Sequence, residues 1–312
     1  YDGDGNWYVA DQLNNGQILL FVKYRGAAMN EFYRYDVATK KMDPIIGQGE
    51  NKDYDVAFSA NKDEYIVLSS EDDFKRIYSY KNKKLKLLTD AKLSYDIGSF
   101  GLDRLRTRIL YHVNREGYTE LRGMDAKTFK PLSIPKFKDA EHVFSGATTR
   151  DGQVTMLGMM TAKSPRLSYS YDWRTRKLTQ WVLPSAPEVD LSTFAPSEIM
   201  YYEARDKTKI PMVVRFPPGC KESKDCPVIV DFHGGPEAQS TPGFSTMTQA
   251  FVDAGFILVE PNVRGSSGYG KKWIDMDNGP LRENVITDIP DAGLWIKNNW
   301  KNKAGKSPKV GV

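Results

Sequence analysis

The chain has 312 residues, of which 40 % are hydrophobic, enough to fill the cores of about two domains. Its 44 basic and 40 acidic side chains leave a formal charge of +4 and are mixed along the whole sequence, so no basic block can follow a nucleic-acid backbone. The longest apolar runs fall far short of the ~18 to 20 residues that span a bilayer. Composition therefore excludes a disordered chain and argues against nucleic acid and membranes as partners.

The first half of the sequence contains a repeated unit. Its four copies have Tyr35, Tyr80, Met124 and Tyr171 at equivalent positions, 45, 44 and 47 residues apart. Each copy predicts an alternating strand, a polar turn and a second short strand, with a further strand before them. Four short strands in about 44 residues is the period of a β-propeller blade, so residues 1–185 are predicted to form about four blades. A β-sandwich with evenly spaced strands is the alternative.

An open array of about four blades that starts within a unit would expose a sheet edge. The sequence also begins at Tyr1, without an initiator Met, a basic start or an apolar signal core. We therefore expect the propeller to be incomplete in this chain, with further blades preceding it in the intact protein.

After residue 185 the pattern changes. Residues 186–197 are rich in proline and are predicted to be a linker. Beyond them, a strand pair is expected at 198–205 and 210–216, followed by two short apolar runs at 227–232 and 255–260. Runs that are apolar on both faces are typical of strands buried in a parallel sheet.

Helical patterns fill the gaps between these strands. Met247, Ala250, Phe251 and Ala254 recur at helical spacing, and Thr287 is predicted to cap a later helix, ahead of a further strand at 310–312. The alternation of strand and helix predicts an α/β domain over residues 198–312.

Cys220 and Cys226 flank a charged segment that must turn between two apolar runs. A disulfide between them is feasible and would contribute about 2 kcal/mol. Two free thiols are the alternative, and zinc is disfavoured because no second pair of Cys or His lies at ligand spacing. If the bridge forms, an oxidising compartment is implied, which favours a periplasmic or secreted protein.

Two glycine-containing motifs follow the predicted parallel strands. His233-Gly-Gly-Pro236 lies at the carboxyl end of the first, where open α/β sheets place their ligand sites. Two glycines allow a sharp turn that aims a backbone N–H outward, as an oxyanion requires. The second motif, Asn262-Val-Arg-Gly-Ser-Ser-Gly-Tyr-Gly270, follows the next strand.

With these motifs the sequence resembles the prolyl oligopeptidase family of serine peptidases. The resemblance covers about residues 198–312, and over the first half it concerns architecture only. It implies a β-propeller, incomplete here, followed by the N-terminal part of an α/β-hydrolase domain. The subgroups it resembles are acylaminoacyl-peptidase-like and dipeptidyl-peptidase-like enzymes, which hydrolyse oligopeptides admitted to a chamber between the domains.

The resemblance also implies roles for individual residues. The backbone N–H of Gly235 becomes the expected oxyanion donor, with Gly234 shaping the loop. His233 is expected to hold that loop by hydrogen bonds and not to act as the catalytic base. Arg264 is expected to brace the neighbouring loop, and Tyr269 to face substrate or to pack; both are candidates for substrate binding.

The nucleophile motif Gly-x-Ser-x-Gly is absent from the sequence. The stretch that begins at Gly265 comes nearest to it, but its fifth residue is Tyr269 where the motif requires glycine. In this family the nucleophile comes a few residues after the strand that begins near Lys309, with the acid and base further on. The catalytic Ser, Asp and His are therefore expected outside this chain, which alone should be inactive. His112 and His142 are expected to be packed or surface residues of blades.

The sequence thus predicts a serine peptidase that hydrolyses short peptides through an acyl-enzyme, with the propeller gating access. No cofactor and no metal are expected. A non-catalytic, propeller-based protein-binding module and an esterase-type hydrolase are the alternatives. No Glu-Glu pair, which anchors the substrate amino terminus in dipeptidyl peptidases of this family, occurs in the chain. Peptide specificity and oligomeric state stay open.

Overall fold

The computed structural model describes residues 4–26, 29–235 and 237–312. These residues form two compact units. The first comprises the described residues up to Val113 together with Arg122–Ile134 and Thr148–Gly152. The second comprises Asn114–Leu121, Pro135–Ala147 and the rest of the chain from Gln153. In the part of the chain described, no helix is long and apolar enough to span a membrane.

The strands of the repeated region have four to nine residues each. They are β1 (Asn6–Leu13), β2 (Ile18–Gly26), β3 (Met29–Asp36), β4 (Lys41–Ile46), β5 (Asp55–Phe58), β6 (Tyr65–Ser69), β7 (Arg76–Lys81), β8 (Lys84–Leu87), β9 (Asp96–Leu102), β10 (Arg108–Arg115), β11 (Tyr118–Asp125), β12 (His142–Thr148), β13 (Val154–Thr161), β14 (Ser164–Asp172) and β15 (Leu178–Val182). Single turns of 3₁₀ helix lie at Asn14–Gly16 and Leu191–Thr193.

The predicted four-strand unit is present in the first two repeats. Strands β1 to β4 and β5 to β8 each form a four-stranded antiparallel sheet in chain order. Alternation along β2 buries Ile18, Leu20 and Val22, which pack with Val56 and Phe58. All four anchor residues of the sequence repeat lie in the third strand of their unit, in β3, β7, β11 and β14. The repeat therefore corresponds to a repeated structural unit.

The third repeat departs from the pattern. After β9, β10 and β11 its fourth strand is reduced to a single bridge between Met124 and Pro131. Prolines at 131 and 135 have no N–H to donate to a strand ladder, which explains the loss. The fourth repeat is complete, with β12 to β15, and Thr119 of β11 pairs in parallel with His142 of β12.

The remaining elements build the predicted α/β sheet. They are β16 (Ser197–Glu203), β17 (Lys209–Arg215), α1 (Cys220–Ser223), β18 (Val228–Val230), α2 (Thr246–Asp253), β19 (Ile257–Pro261), α3 (Lys271–Asp275), α4 (Arg282–Asn299) and β20 (Val310–Gly311), with a 3₁₀ turn at Gly279–Leu281. The strand order is β16-β17-β19-β18-β20. Strand β17 runs antiparallel to both of its neighbours, β16 and β19, whereas β18 runs parallel to both β19 and β20.

The core of this sheet is apolar on both faces, as the sequence predicts. Val228 and Val230 of β18 and Val259 of β19 are buried, and α4 covers them with Ala292 and Ile296. Since β18 and β19 are parallel neighbours, with Val230 opposite Val259, the loops that follow them leave the sheet at the same edge. This edge carries both glycine motifs.

Two details of the predicted helices were wrong. Helix α4 begins at Arg282, and Thr287 lies inside it with its hydroxyl donating to the carbonyl of Asn284 at 2.7 Å. In α2 the buried residues are Gln249 and Val252, while Met247 of the predicted apolar face is 70 % exposed. Gln249 turns inward because its Oε1 accepts a hydrogen bond from the N–H of Ala195 at 2.9 Å, a contact that helical periodicity does not encode.

Candidate functional site: the loops after β18 and β19

The first glycine motif forms an exposed turn directly after β18. Gly235 has φ +124°, a conformation that favours glycine, and a Cβ there would lie 3.2 Å from Cβ of Ala238. Gly234 has open space around it. Among the residues described, no group accepts a hydrogen bond from the N–H of Gly235. Pro236, the last residue of the predicted motif, lies outside the described residues.

His233 ties this turn to the second motif. Its Nε2 lies 3.0 Å from Oγ of Ser266, which is fully buried and donates to the carbonyl of Val263 at 2.6 Å. On the other side of the ring, Nδ1 of His233 lies 3.1 Å from the carbonyl oxygen of Gly234. The side chain of His233 thus connects the turn at Gly235 with the second motif.

The chain after Gly235 is held by main-chain contacts to the second motif. The N–H of Ser267 donates to the carbonyl of Ala238 at 3.0 Å. Asn262, fully buried at the end of β19, accepts from the N–H of Ser240 at 2.7 Å and donates to its carbonyl at 2.9 Å. The sequence gives only a weak signal for this role, a polar residue directly after a buried strand.

Tyr269 is partly buried and belongs to the same contacts. Its hydroxyl accepts a hydrogen bond from Nδ2 of Asn262 at 2.9 Å, and its ring lies 5.9 Å from that of Trp273. Burial raises the pKa of the Tyr269 phenol, so the hydroxyl is neutral near neutral pH and keeps a proton to donate. Tyr269 is therefore partly packed and partly exposed beside the loop that carries Gly235.

Arg264 is buried, and its guanidinium is occupied by two carboxylates. Its Nε and Nη2 donate to Asp288 of α4 at 3.0 and 2.5 Å, and its Nη1 donates to Asp206 in the β16–β17 turn at 2.5 Å. The hydrogen bonds to Asp288 raise the pKa of Arg264, while burial raises the pKa of Asp288 against the opposing charge of Arg264. These contacts brace the second loop against α4; sequence reasoning did not identify either carboxylate.

Gly265, the next residue of the second motif, packs closely against Asp277. A Cβ at this position would come within 2.5 Å of Cβ of Asp277, and φ is +93°. Asp277 is buried and accepts from Nη2 of Arg282 at 2.9 Å. The second glycine motif is thus a tightly packed support beside the exposed turn at Gly235.

The remaining predicted residues lie elsewhere in the fold. Cys220 and Cys226 are joined by a disulfide, with their Cα atoms 5.7 Å apart, and the charged segment between them begins as the short helix α1. His112 lies in β10 with Nδ1 2.9 Å from Oγ of Ser99. His142, in β12, is buried and contacts the segment after Gly235.

A mixed α/β sheet with a glycine turn after one of its parallel strands, preceded by repeated antiparallel sheets, is the class of fold expected of the family that the sequence resembles. Residues 242–301 match the model of the Prolyl oligopeptidase family, and the resemblance seen in the sequence is thereby confirmed.

Curated relatives support the same family. The Prolyl endopeptidase of Elizabethkingia meningoseptica is 35 % identical over 103 residues, which cover 33 % of this chain and 15 % of that protein. The Dipeptidyl aminopeptidase BIII of Pseudoxanthomonas mexicana is 24 % identical over 153 residues, covering 47 % of this chain and 22 % of the relative.

A solved structure is similar over nearly the whole chain. Prolyl oligopeptidase B from Galerina marginata superposes with a TM-score of 0.79 and 16 % identity, over 97 % of this chain and 44 % of that protein. At this identity the likeness concerns the fold. The chain spans less than half the length of each of these proteins.

Proposed function

We propose that the intact protein containing this chain is a serine peptidase that hydrolyses short peptides through an acyl-enzyme. In that reaction a serine oxygen adds to the peptide carbonyl carbon, the serine proton passes to a base, and the carbonyl oxygen becomes an alkoxide. This chain supplies the donor for that alkoxide, the backbone N–H of Gly235. The observation that carries the proposal is this exposed N–H, at the end of a parallel strand and beside a stretch that matches a peptidase family.

The other loop residues have supporting roles in this proposal. Gly234 gives the turn its freedom, and His233 ties it to Ser266. Arg264 acts as a brace, because Asp288 and Asp206 occupy its guanidinium. Tyr269 lies beside the turn and is the better candidate of the two for touching substrate.

The architecture proposed for the whole protein follows the sequence analysis. Residues 1–185 contribute blades of a β-propeller, residues 186–197 connect them, and residues 198–312 form the first part of the hydrolase domain. The propeller gates access, so that short peptides enter and folded proteins do not. Further blades and the catalytic Ser, Asp and His belong to parts of the protein outside this sequence.

A non-catalytic protein-binding module is the alternative of a different class, with an esterase-type hydrolase as the second. Labelling with a fluorophosphonate separates the first alternative from the proposal. We expect a stoichiometric adduct on the longer parent protein and none on the 312-residue chain, whose sequence has no Gly-x-Ser-x-Gly. A parent protein that is not labelled would support the non-catalytic protein-binding module. An adduct on the 312-residue chain would refute the proposal that the catalytic serine lies outside it. Turnover of esters without turnover of peptides would favour the esterase.

The role of Gly235 is tested by a matched pair of variants in the parent protein. Gly235→Pro deletes the N–H, but proline fixes φ near −65° and cannot adopt +124°. Gly235→Ala also strains a backbone at φ +124°, with its Cβ 3.2 Å from Cβ of Ala238, but it keeps the N–H and so serves as the control for strain. Loss of one oxyanion donor costs on the order of 100- to 1000-fold in kcat. We expect the proline variant to fall below the alanine variant by this factor in kcat, with a smaller effect on KM; equal kcat values for two folded variants would mean that Gly235 is not the donor.

A further inference from the structure

His142 makes a directed contact with the chain segment that follows Gly235. The side chain is only 3 % exposed, and Nε2 lies 2.9 Å from the carbonyl oxygen of Pro242. A carbonyl oxygen can only accept, so Nε2 carries the proton and donates it. On the other side of the ring, Nδ1 lies 3.0 Å from Oγ1 of Thr119 and accepts from that hydroxyl. Burial lowers the pKa of His142, which keeps the ring neutral in this tautomer.

The position of the ring is fixed by close packing. It is stacked on Phe144, with ring centroids 5.8 Å apart and an interplanar angle of 3°. Gly243 has φ +117°, and a Cβ there would lie 2.9 Å from Nε2 of His142. A Cβ at Gly117 would lie 2.8 Å from Cδ of Pro242. Glycines at 117 and 243 thus let the segment lie directly against the imidazole.

Other polar side chains hold the same segment nearby. Nη2 of Arg215, also buried, donates to the carbonyl of Gly243 at 3.0 Å, while Asn262 binds both main-chain groups of Ser240. The main chain is therefore held at residues 240, 242 and 243. Asn262 and Arg215 belong to the α/β sheet, whereas His142 comes from β12 of the repeated region.

We propose that His142 is a positioning residue for the turn that carries Gly235. A backbone donor has no side chain of its own to aim it, so its position depends on where the following chain is held. The hydrogen bond from His142 to Pro242 fixes that chain seven residues beyond Gly235. The inference rests on the proposed oxyanion role of Gly235 for its effect on catalysis, but the contact itself can be tested without any activity.

The first test measures amide hydrogen exchange in the parent protein, over peptides within residues 233–245. His142→Leu removes the donor, whereas His142→Gln can place an amide N–H where Nε2 lies. His112→Leu, the substitution of another β-strand histidine, is the control. We expect at least a tenfold faster exchange in this segment for His142→Leu, and near-normal exchange for His142→Gln and His112→Leu. Unchanged exchange in a folded His142→Leu chain would overturn the proposal.

A second measurement needs no variant and covers the case in which His142→Leu does not fold. Imidazole ¹⁵N chemical shifts of the wild-type parent protein at pH 7 report which ring nitrogen of His142 is protonated. We expect a proton on Nε2 and none on Nδ1 of His142. A charged ring, or a proton on Nδ1 alone, would contradict the hydrogen bond to Pro242.

The third test concerns catalysis in the parent protein. We expect His142→Leu to lower kcat and the fluorophosphonate labelling rate by about 10- to 100-fold with little change in KM, because a misplaced donor acts on the transition state. His142→Gln should restore most of the loss. Normal kcat in His142→Leu, where the exchange in residues 233–245 is raised, would refute the positioning role. If the wild-type parent shows no labelling, the proposed function fails instead, and the exchange and ¹⁵N measurements still decide the contact.

Discussion

The buried ion pair between Arg264 and Asp288 allows a quantitative prediction about the support of the second loop. The two side chains are 4 % and 0 % exposed, and two N–H groups of Arg264 reach the carboxylate of Asp288. Two unit charges about 4 Å apart attract by about 4 kcal/mol at an effective dielectric constant of 20. Substituting Arg264 by Met keeps much of the apolar volume but leaves Asp288 buried without its partner. Breaking a buried pair in this way costs about 3 to 5 kcal/mol.

We therefore expect Arg264→Met to lower the free energy of unfolding by about 3 to 5 kcal/mol. Denaturant unfolding followed by tryptophan fluorescence measures it. The exposed i, i+4 pair of Lys271 and Asp275 is the control, and Lys271→Ala should cost about 0.5 kcal/mol or less. A double-mutant cycle with Asp288→Asn isolates the pair: in the asparagine variant Arg264 keeps its ion pair with Asp206, and the double variant has neither of the two buried charges.

The pH dependence of the variant provides a second check. Burial already raises the pKa of Asp288 above 3.8, and Arg264 opposes the rise. Without Arg264 the pKa rises further, so folded Arg264→Met holds an extra proton between pH 3.8 and that raised pKa. The difference in unfolding free energy between wild type and Arg264→Met should therefore shrink as the pH falls through this window. A loss below about 1 kcal/mol, or a deficit independent of pH, would refute the view that Arg264 neutralises a buried carboxylate.

Two further predictions concern other parts of the second unit. Reducing the disulfide between Cys220 and Cys226 should lower the unfolding free energy by about 2 kcal/mol, and alkylation of the unreduced, unfolded chain, followed by mass measurement, should find neither thiol free. Burial raises the pKa of Glu141 above 4.5, and the charge of Arg215 opposes the rise. Because the folded protein then holds this proton more tightly than the unfolded chain, the free energy of unfolding should fall as the pH rises from 4.5 through the raised pKa. Glu141→Gln should reduce this fall, measured by denaturant unfolding at a series of pH values, and Glu188→Gln, at an exposed position, is the control. The same pH dependence of the unfolding free energy in Glu141→Gln and wild type would contradict the assignment.

Features that depend on local patterns could be predicted from the sequence. The repeat anchors Tyr35, Tyr80, Met124 and Tyr171 occupy the same strand of each unit, because the recurring pattern of strand, polar turn and strand lies in neighbouring residues. The parallel pair β18 and β19 was found in the same way, since runs that are apolar on both faces have few other places to lie. The glycine turn after β18 follows from the motif itself.

Contacts between distant residues could not be predicted in this way. Asn262 meets Ser240 across 22 residues, and Arg264 meets Asp206 across 58. His142 and Pro242 are 100 residues apart. The acceptor is a backbone carbonyl, which every residue has, so the residue type at 242 gives no sign that His142 is its partner. Only the fold shows that these polar groups are partners.

These distant contacts follow from the kind of group that the site presents. If the chemically active group is the N–H of Gly235, then substitution of its side chain cannot improve its aim, and φ +124° limits the position to glycine. Precision must come from both flanks, by way of His233 and Ser266 on one side and of Asn262 and His142 on the other. Ser266, Asn262 and His142 are buried, so their positions are fixed by the surrounding packing. Substitution of these supporting residues should therefore lower kcat more than it weakens peptide binding. Residues that bind substrate directly would show the opposite pattern.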